Sequence, residues 1–85
     1  MSVEELEGFV LGNPKRRQVV NVLMEEGPSQ VDLIRNKKRI PKKIVESIVE
    51  ELEEKGIVKD SGSGKFELTD IGEKIVARSK EFESM

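Results

Sequence analysis

The 85-residue sequence contains neither cysteine nor histidine. Without cysteine, the chain forms no disulfide, holds no thiolate-bound metal and has no thiol nucleophile. Without histidine, it also lacks the commonest metal ligand and the usual general base. We therefore expect no metal site, no cofactor and no catalytic activity, and little room for a ligand pocket in so short a chain. A small enzyme is an alternative that these missing side chains disfavour.

Long apolar runs and aromatic residues are scarce as well. No run approaches the roughly 20 apolar residues that a membrane span needs, and no signal peptide is visible. We expect a cytoplasmic protein with no membrane partner. The aromatic residues are three phenylalanines that look like core residues, not like the stacking platform of a single-strand binder: Phe9, Phe66 and Phe82.

Positive charge is concentrated in one stretch of a chain whose net charge is −2. Residues 35–43 hold six bases and no acid, whereas residues 1–34 hold three bases and six acids. The six bases are Arg35, Lys37, Lys38, Arg39, Lys42 and Lys43. Such a focus of positive charge on an acidic body is typical of a surface for a polyanion. A solvated basic loop is the alternative.

The apolar spacing predicts a mostly helical α+β domain over residues 1–85. Helices are expected at about 2–11, 14–26, 29–36, 41–55 and 70–82, with a β-hairpin at about 57–60 and 65–68. The expected N-caps are Ser2, Asn13, Ser29, and Thr69 or Asp70. Pro14 and Pro41 suit a first helical position, and Gly27 and Gly56 suit helix ends.

The helical spacing also predicts which side chains are buried. The fourth predicted helix has a broad apolar stripe of Ile44, Val45, Ile48, Val49 and Leu52. The second is expected to bury Val19, Val20, Val22, Leu23 and Met24, and the third presents Val31, Leu33 and Ile34. The terminal helices carry Val3, Leu6, Phe9, Val10, Ile71, Ile75, Val76 and Phe82.

Two junctions resemble those of winged helix-turn-helix proteins of the ArsR/MarR type, as found in small archaeal and bacterial transcription regulators. Residues 52–58, Leu-Glu-Glu-Lys-Gly-Ile-Val, resemble the end of the recognition helix. Residues 66–72, Phe-Glu-Leu-Thr-Asp-Ile-Gly, resemble the segment that joins the wing to a C-terminal helix. The resemblance implies an N-terminal helix at 1–12, a winged helix-turn-helix core at 14–68 and a C-terminal helix at 69–85.

The sequence departs from the family pattern at two places. Bulky Ile34 follows Leu33 in the positioning helix, where many members have a small residue. The usual Leu-Gly of the turn is replaced by residues 37–39, Lys-Lys-Arg, which indicates a longer or differently shaped turn.

The resemblance implies that the chain binds double-stranded DNA and regulates transcription. Lys42, Lys43, Glu46 and Ser47 would lie at or near the major groove, and Arg35, Lys37, Lys38 and Arg39 would hold phosphates beside it. Lys59 and Lys65 would flank the wing tip, on the backbone or minor groove. Lys15, Arg16 and Arg17 would hold a further phosphate at a helix N-terminus.

The same resemblance implies a homodimer through the N- or C-terminal helices, with recognition helices about 34 Å apart. The alternative is that these helices only cover the core of the monomer. An alternative function is a winged-helix protein-interaction module in a transcription or processing complex, in which the acidic surface would be the interface.

Overall fold

Five helices and a small three-stranded antiparallel sheet make up the fold in a computed structural model that describes residues 2–78. In chain order the elements are α1 (Val3–Leu11), α2 (Pro14–Glu26), β1 (Ser29–Gln30), α3 (Val31–Lys38), α4 (Lys42–Glu54), β2 (Val58–Gly62), β3 (Lys65–Leu68) and α5 (Asp70–Arg78). The predicted class, α+β and winged-helix-like, is confirmed. The end of the last predicted helix, with Phe82, lies outside the described residues.

The first two helices begin as their capping residues predict. The Ser2 hydroxyl accepts a hydrogen bond from the amide of Glu5 at 3.2 Å. The side-chain oxygen of Asn13 accepts from the amides of Lys15 and Arg16, at 2.9 and 3.2 Å. Both caps satisfy amides that have no partner inside a helix.

The connection between α2 and α3 differs from the prediction, because Ser29 and Gln30 form a strand. They pair with Phe66 and Lys65 of β3, which makes β3 the central strand of the sheet. The predicted cap at Ser29 is therefore wrong: this side chain is buried and donates to the carbonyl of Gly27 at 2.9 Å. The third helix begins only at residue 31 and continues to residue 38.

The fourth helix is shifted slightly from its predicted bounds. It begins at Lys42, so Pro41 is the N-cap residue and not the first helical residue. It ends before Lys55, and Gly56 follows with a φ of 76°, as expected for a glycine after a helix.

The core lies between the helices and one face of the hairpin. From α4 it takes Val45, Ile48, Val49 and Leu52, which are at most 5% exposed. Four apolar residues expected on buried helix faces are more than a third exposed instead: Met24, Leu33, Ile44 and Ile71. On α4, successive residues are rotated by about 100°, so Ile44 falls at the border of the buried stripe and not at its centre.

The terminal helices pack against each other and against α2. Leu6, Val10 and Ile75 are buried, and the Arg78 Nε lies 3.4 Å from the Glu7 carboxylate. These contacts cover the core of the monomer, as the alternative to a dimer interface requires.

The two junctions that carry the family resemblance meet in space. The Thr69 hydroxyl donates to the carbonyl of Gly56 at 2.6 Å and accepts from the amide of Gly72 at 3.1 Å. The Thr69 amide donates to the carbonyl of Ile57 at 3.0 Å. Thr69 therefore caps α5 and holds its first turn against the chain that leaves α4.

Candidate nucleic-acid interface

The basic run is divided between two sides of α3. Arg35 and Arg39 are four residues apart and share one side, together with Lys42 of α4. Lys37 and Lys38 lie on the other side, against the end of α2. The sequence pattern predicts a turn at residues 37–39. Because α3 continues to residue 38 instead, the basic residues are divided between two sides of this helix.

An open depression of about 390 Å³ lies where α3 turns into α4. We call it the α3–α4 corner, and its lining residues are Arg35, Asn36, Arg39, Ile40, Pro41 and Lys42. Three of these six carry a positive charge and none carries a negative one. The corner therefore brings together three of the six bases of residues 35–43.

One carboxylate stands beside the corner. An Asp32 oxygen lies 3.8 Å from both the Arg35 Nε and the Lys42 Nζ. All three side chains are about half exposed, so these ion pairs contribute little to stability. Their effect is to hold a cation of α3 next to a cation of α4.

Arg39 occupies a backbone conformation that arginine rarely adopts. Its φ of 53° and ψ of 42° are left-handed, and it ends α3 by donating its amide to the carbonyl of Arg35. Glycine would adopt this conformation without a steric penalty, whereas other residues are disfavoured by about 1 kcal/mol.

The first turn of α4 borders the corner and begins without a side-chain cap. Its N-cap residue, Pro41, provides no side-chain hydrogen bond, unlike Asn13 at the start of α2. Unpaired amides and the helix dipole both favour an anion at this end.

Lys37 and Lys38 lie near acidic residues of α2. The Lys37 ammonium lies 2.9 Å from the Glu26 carboxylate. This hydrogen bond and the charges of Glu26 and Glu25 raise the pKa of Lys37 above its ordinary value. The two lysines line a small cavity of about 80 Å³ with Val22 and Glu25, apart from the corner.

The outer face of α4 presents Lys43, Glu46 and Ser47 to solvent. Ile44 is a residue that the sequence analysis assigned to the core, yet it is 37% exposed on the first turn of this helix. The position of Ile44 at the border of the apolar stripe was the feature of the sequence that could have indicated this exposure. An exposed apolar side chain beside Lys43 and Ser47 has the chemistry for contact with a thymine methyl group.

The basic residues at the start of α2 are separated from the corner. The Arg16 guanidinium lies 3.0 Å from the Glu51 carboxylate, donates to the carbonyl of Phe9 at 3.2 Å and stacks 3.8 Å from the Phe9 ring centre. Glu51 lies nine positions after Lys42 on α4, which corresponds to about 14 Å along the helix. Arg16 thus joins α1, α2 and α4, and its donors are directed inward; Lys15 is exposed and Arg17 is half-buried.

The wing lysines differ in their surroundings. Lys59 faces Glu67 across β2 and β3, with its Nζ 3.4 Å from the carboxylate. Lys65 is exposed beside the tip, where Ser63 and Gly64 have φ values of 56° and 75°. Two consecutive positive φ values are typical of a tight hairpin turn. Of the two lysines, Lys65 is the one at the solvent-facing end of the wing.

The fold and the α3–α4 corner define a winged-helix-like protein with one concentrated positive surface. The chain matches no protein-family model and no curated protein. Among solved structures it is similar to the crystal structure of the quinone-bound YodB from B. subtilis, with a TM-score of 0.80 and 26% sequence identity. The match covers 95% of this chain and 90% of that one, so the similarity extends over the whole described fold.

Within residues 2–78, no helix is long and apolar enough to cross a membrane. No group of three acidic side chains in this part of the chain is arranged to hold a metal ion.

Proposed function

We propose that this protein is a sequence-specific, double-stranded DNA-binding transcription regulator without catalytic activity. In this proposal the first two turns of α4 enter the major groove and expose Lys43, Ile44 and Ser47 to base edges. The α3–α4 corner binds backbone phosphates, and Lys65 at the wing tip contacts the adjacent backbone or minor groove.

The observation that carries the proposal is the α3–α4 corner. It combines Arg35, Arg39 and Lys42 with the uncapped amides of α4, and these are the two features that bind phosphate oxygens. The strained backbone at Arg39 supports the same conclusion, since a turn that only needed stability would favour glycine there. The similarity to YodB in fold supports the winged-helix geometry.

The experiment that tests the proposal is a fluorescence-anisotropy titration of random-sequence duplex DNA at several salt concentrations. We expect micromolar binding that weakens steeply with salt. If about four phosphates are neutralised per protomer, the slope of log K against log salt will be about −3.6. The absence of binding at low salt would contradict the proposal, and the protein-interaction module would take its place.

A substitution at Arg39 separates stability from DNA binding. Arg39→Gly is expected to leave the free energy of unfolding unchanged or to raise it by up to about 1 kcal/mol, because glycine relieves the left-handed strain. The same change removes one phosphate contact, so the affinity for duplex DNA should fall about tenfold, or about 1.4 kcal/mol. Urea unfolding and the anisotropy titration measure the two effects.

Arg39→Asn is the matched control, since asparagine tolerates the left-handed conformation and also lacks the charge. It should weaken DNA binding as much as Arg39→Gly does. Wild-type affinity in both variants would exclude Arg39 from the interface.

We also propose that the protein acts as a homodimer. Among the large apolar residues described in the terminal helices, Ile71 of α5 is the one that is more than a third exposed, and it supports contact through this helix. A two-fold arrangement would set two recognition helices about 34 Å apart on a palindromic site. Sedimentation equilibrium at micromolar concentration tests the dimer, and a monomer at every concentration would contradict it.

A further inference from the structure

A second concave surface lies on the side of the wing that faces α5. It is a cleft of about 430 Å³ between the end of α2, the hairpin and α5, and we call it the wing cleft. The volume is within the range of small-molecule sites, about 300–1,000 Å³. A chain this short was expected to have little room for a pocket. The cleft was not evident from the sequence, because it is formed by three segments that are distant in the chain.

Six of the eleven residues that line the wing cleft have apolar side chains. These six are Leu23, Met24, Pro28, Leu68, Val76 and Ala77. Met24 is 36% exposed here, although it was expected to be in the core. An exposed thioether is flexible and polarisable, and it adapts its shape to an apolar ligand. Gly27 also lines the cleft and leaves open space where a side chain would stand.

The rim of the wing cleft is negatively charged. The described lining residues include three carboxylates and one ammonium group. The carboxylates belong to Glu67, Asp70 and Glu73, and the ammonium group belongs to Lys59. Lys59 is paired with Glu67. The carboxylates of Asp70 and Glu73 have no hydrogen-bond or ion-pair partner among residues 2–78. The two residues are three positions apart on α5, so both face the same side.

From this combination we propose that the wing cleft binds an amphipathic organic cation, a small molecule with an apolar aromatic or alkyl body and one positive charge. The body would cover Met24, Leu68 and Val76, and the charge would lie near Asp70 and Glu73. An organic anion fits poorly, because the one cation in the lining is already paired. The proposal does not depend on DNA binding.

The test uses two probes of the same shape and opposite charge, tetraphenylphosphonium and tetraphenylborate. Each is titrated into the full chain while the ¹³C-methyl resonance of Met24, assigned with Met24→Leu, is followed by NMR. We expect tetraphenylphosphonium to shift this resonance with a dissociation constant at least tenfold lower than that of tetraphenylborate. Reading the signal at Met24 excludes binding of the borate elsewhere, for example at the α3–α4 corner.

Substitutions at the rim make the test specific. Asp70→Asn/Glu73→Gln should weaken the binding of tetraphenylphosphonium about tenfold and leave the fold intact, since both side chains are exposed. Glu53→Gln/Glu54→Gln on α4 removes the same charge away from the cleft and should leave the affinity unchanged. The proposal is overturned if neither probe shifts Met24, if the two probes bind equally, or if the two double variants have the same affinity.

No DNA is present in this titration, so its failure would leave the DNA-binding proposal as it stands. Equally, a protein that does not bind DNA would still be expected to bind the phosphonium cation.

Discussion

Replacing Gly72 by alanine is expected to lower the free energy of unfolding by about 3 kcal/mol, a large effect for one added methyl group. An added Cβ would overlap the carbonyl oxygen of Ile57, and it would also lie 3.2 Å from the Leu68 Cδ2. The carbonyl of Ile57 accepts a hydrogen bond from the Thr69 amide, so relief of the overlap would disturb the junction between α4 and α5.

Helix propensity gives the opposite expectation for this substitution. Alanine in place of glycine inside a helix usually stabilises it by up to about 1 kcal/mol. Gly8→Ala in α1 is the matched control, because nothing lies within 4 Å of the position that its Cβ would take. Chemical denaturation of both variants should give changes of opposite sign, and a stabilised Gly72→Ala protein would refute the close contact.

Reversing two charges at the α3–α4 corner is expected to weaken duplex DNA binding about 100-fold at physiological salt, which corresponds to about 2.7 kcal/mol. The variant is Arg39→Glu/Lys42→Glu, which places two negative charges where phosphates would lie. Because two phosphate contacts are lost, the salt slope should also change from about −3.6 to about −1.8. The anisotropy titration measures both quantities.

Lys55→Glu/Lys74→Glu is the control for this experiment. It changes the net charge by the same amount at two exposed lysines outside the corner. Screening limits the reach of such charges to about 8–10 Å at physiological salt, so this variant should bind DNA nearly as well as the wild type. An equal loss in both double variants would mean that net charge, and not the corner, determines affinity.

Most helices of this fold could be predicted because their signals are local. Asn13 followed by Pro14 marks the start of α2, and the stripe from Val45 to Leu52 marks the buried face of α4. The strand at Ser29 could not be predicted in this way. It has two residues, too few for a periodic pattern, and its partner Phe66 lies 37 positions later.

The candidate site was predicted less completely than the fold. The concentration of bases between residues 35 and 43 was evident, but its division into two sides depends on where α3 ends. Arg35 and Arg39 are four residues apart, and residues at this spacing lie on the same side of a helix. A predicted third helix that ended two residues later would have indicated this division. The ion pair of Arg16 with Glu51 joins residues 35 positions apart and has no local signal.

The pairing of β1 with β3 has a consequence for the way the molecule would recognise a duplex. Gln30 directly precedes α3 and pairs with Lys65 of β3. Its side-chain amide donates a hydrogen bond to the carbonyl of Ser63 at the hairpin tip. The wing is therefore attached to the helix-turn-helix at its tip as well as at its base. In the proposed complex this attachment would keep the span between groove and backbone contacts constant, so any adjustment of fit would fall on the DNA. Sequences that deform easily between the two contacts would then be favoured at positions that the protein does not touch.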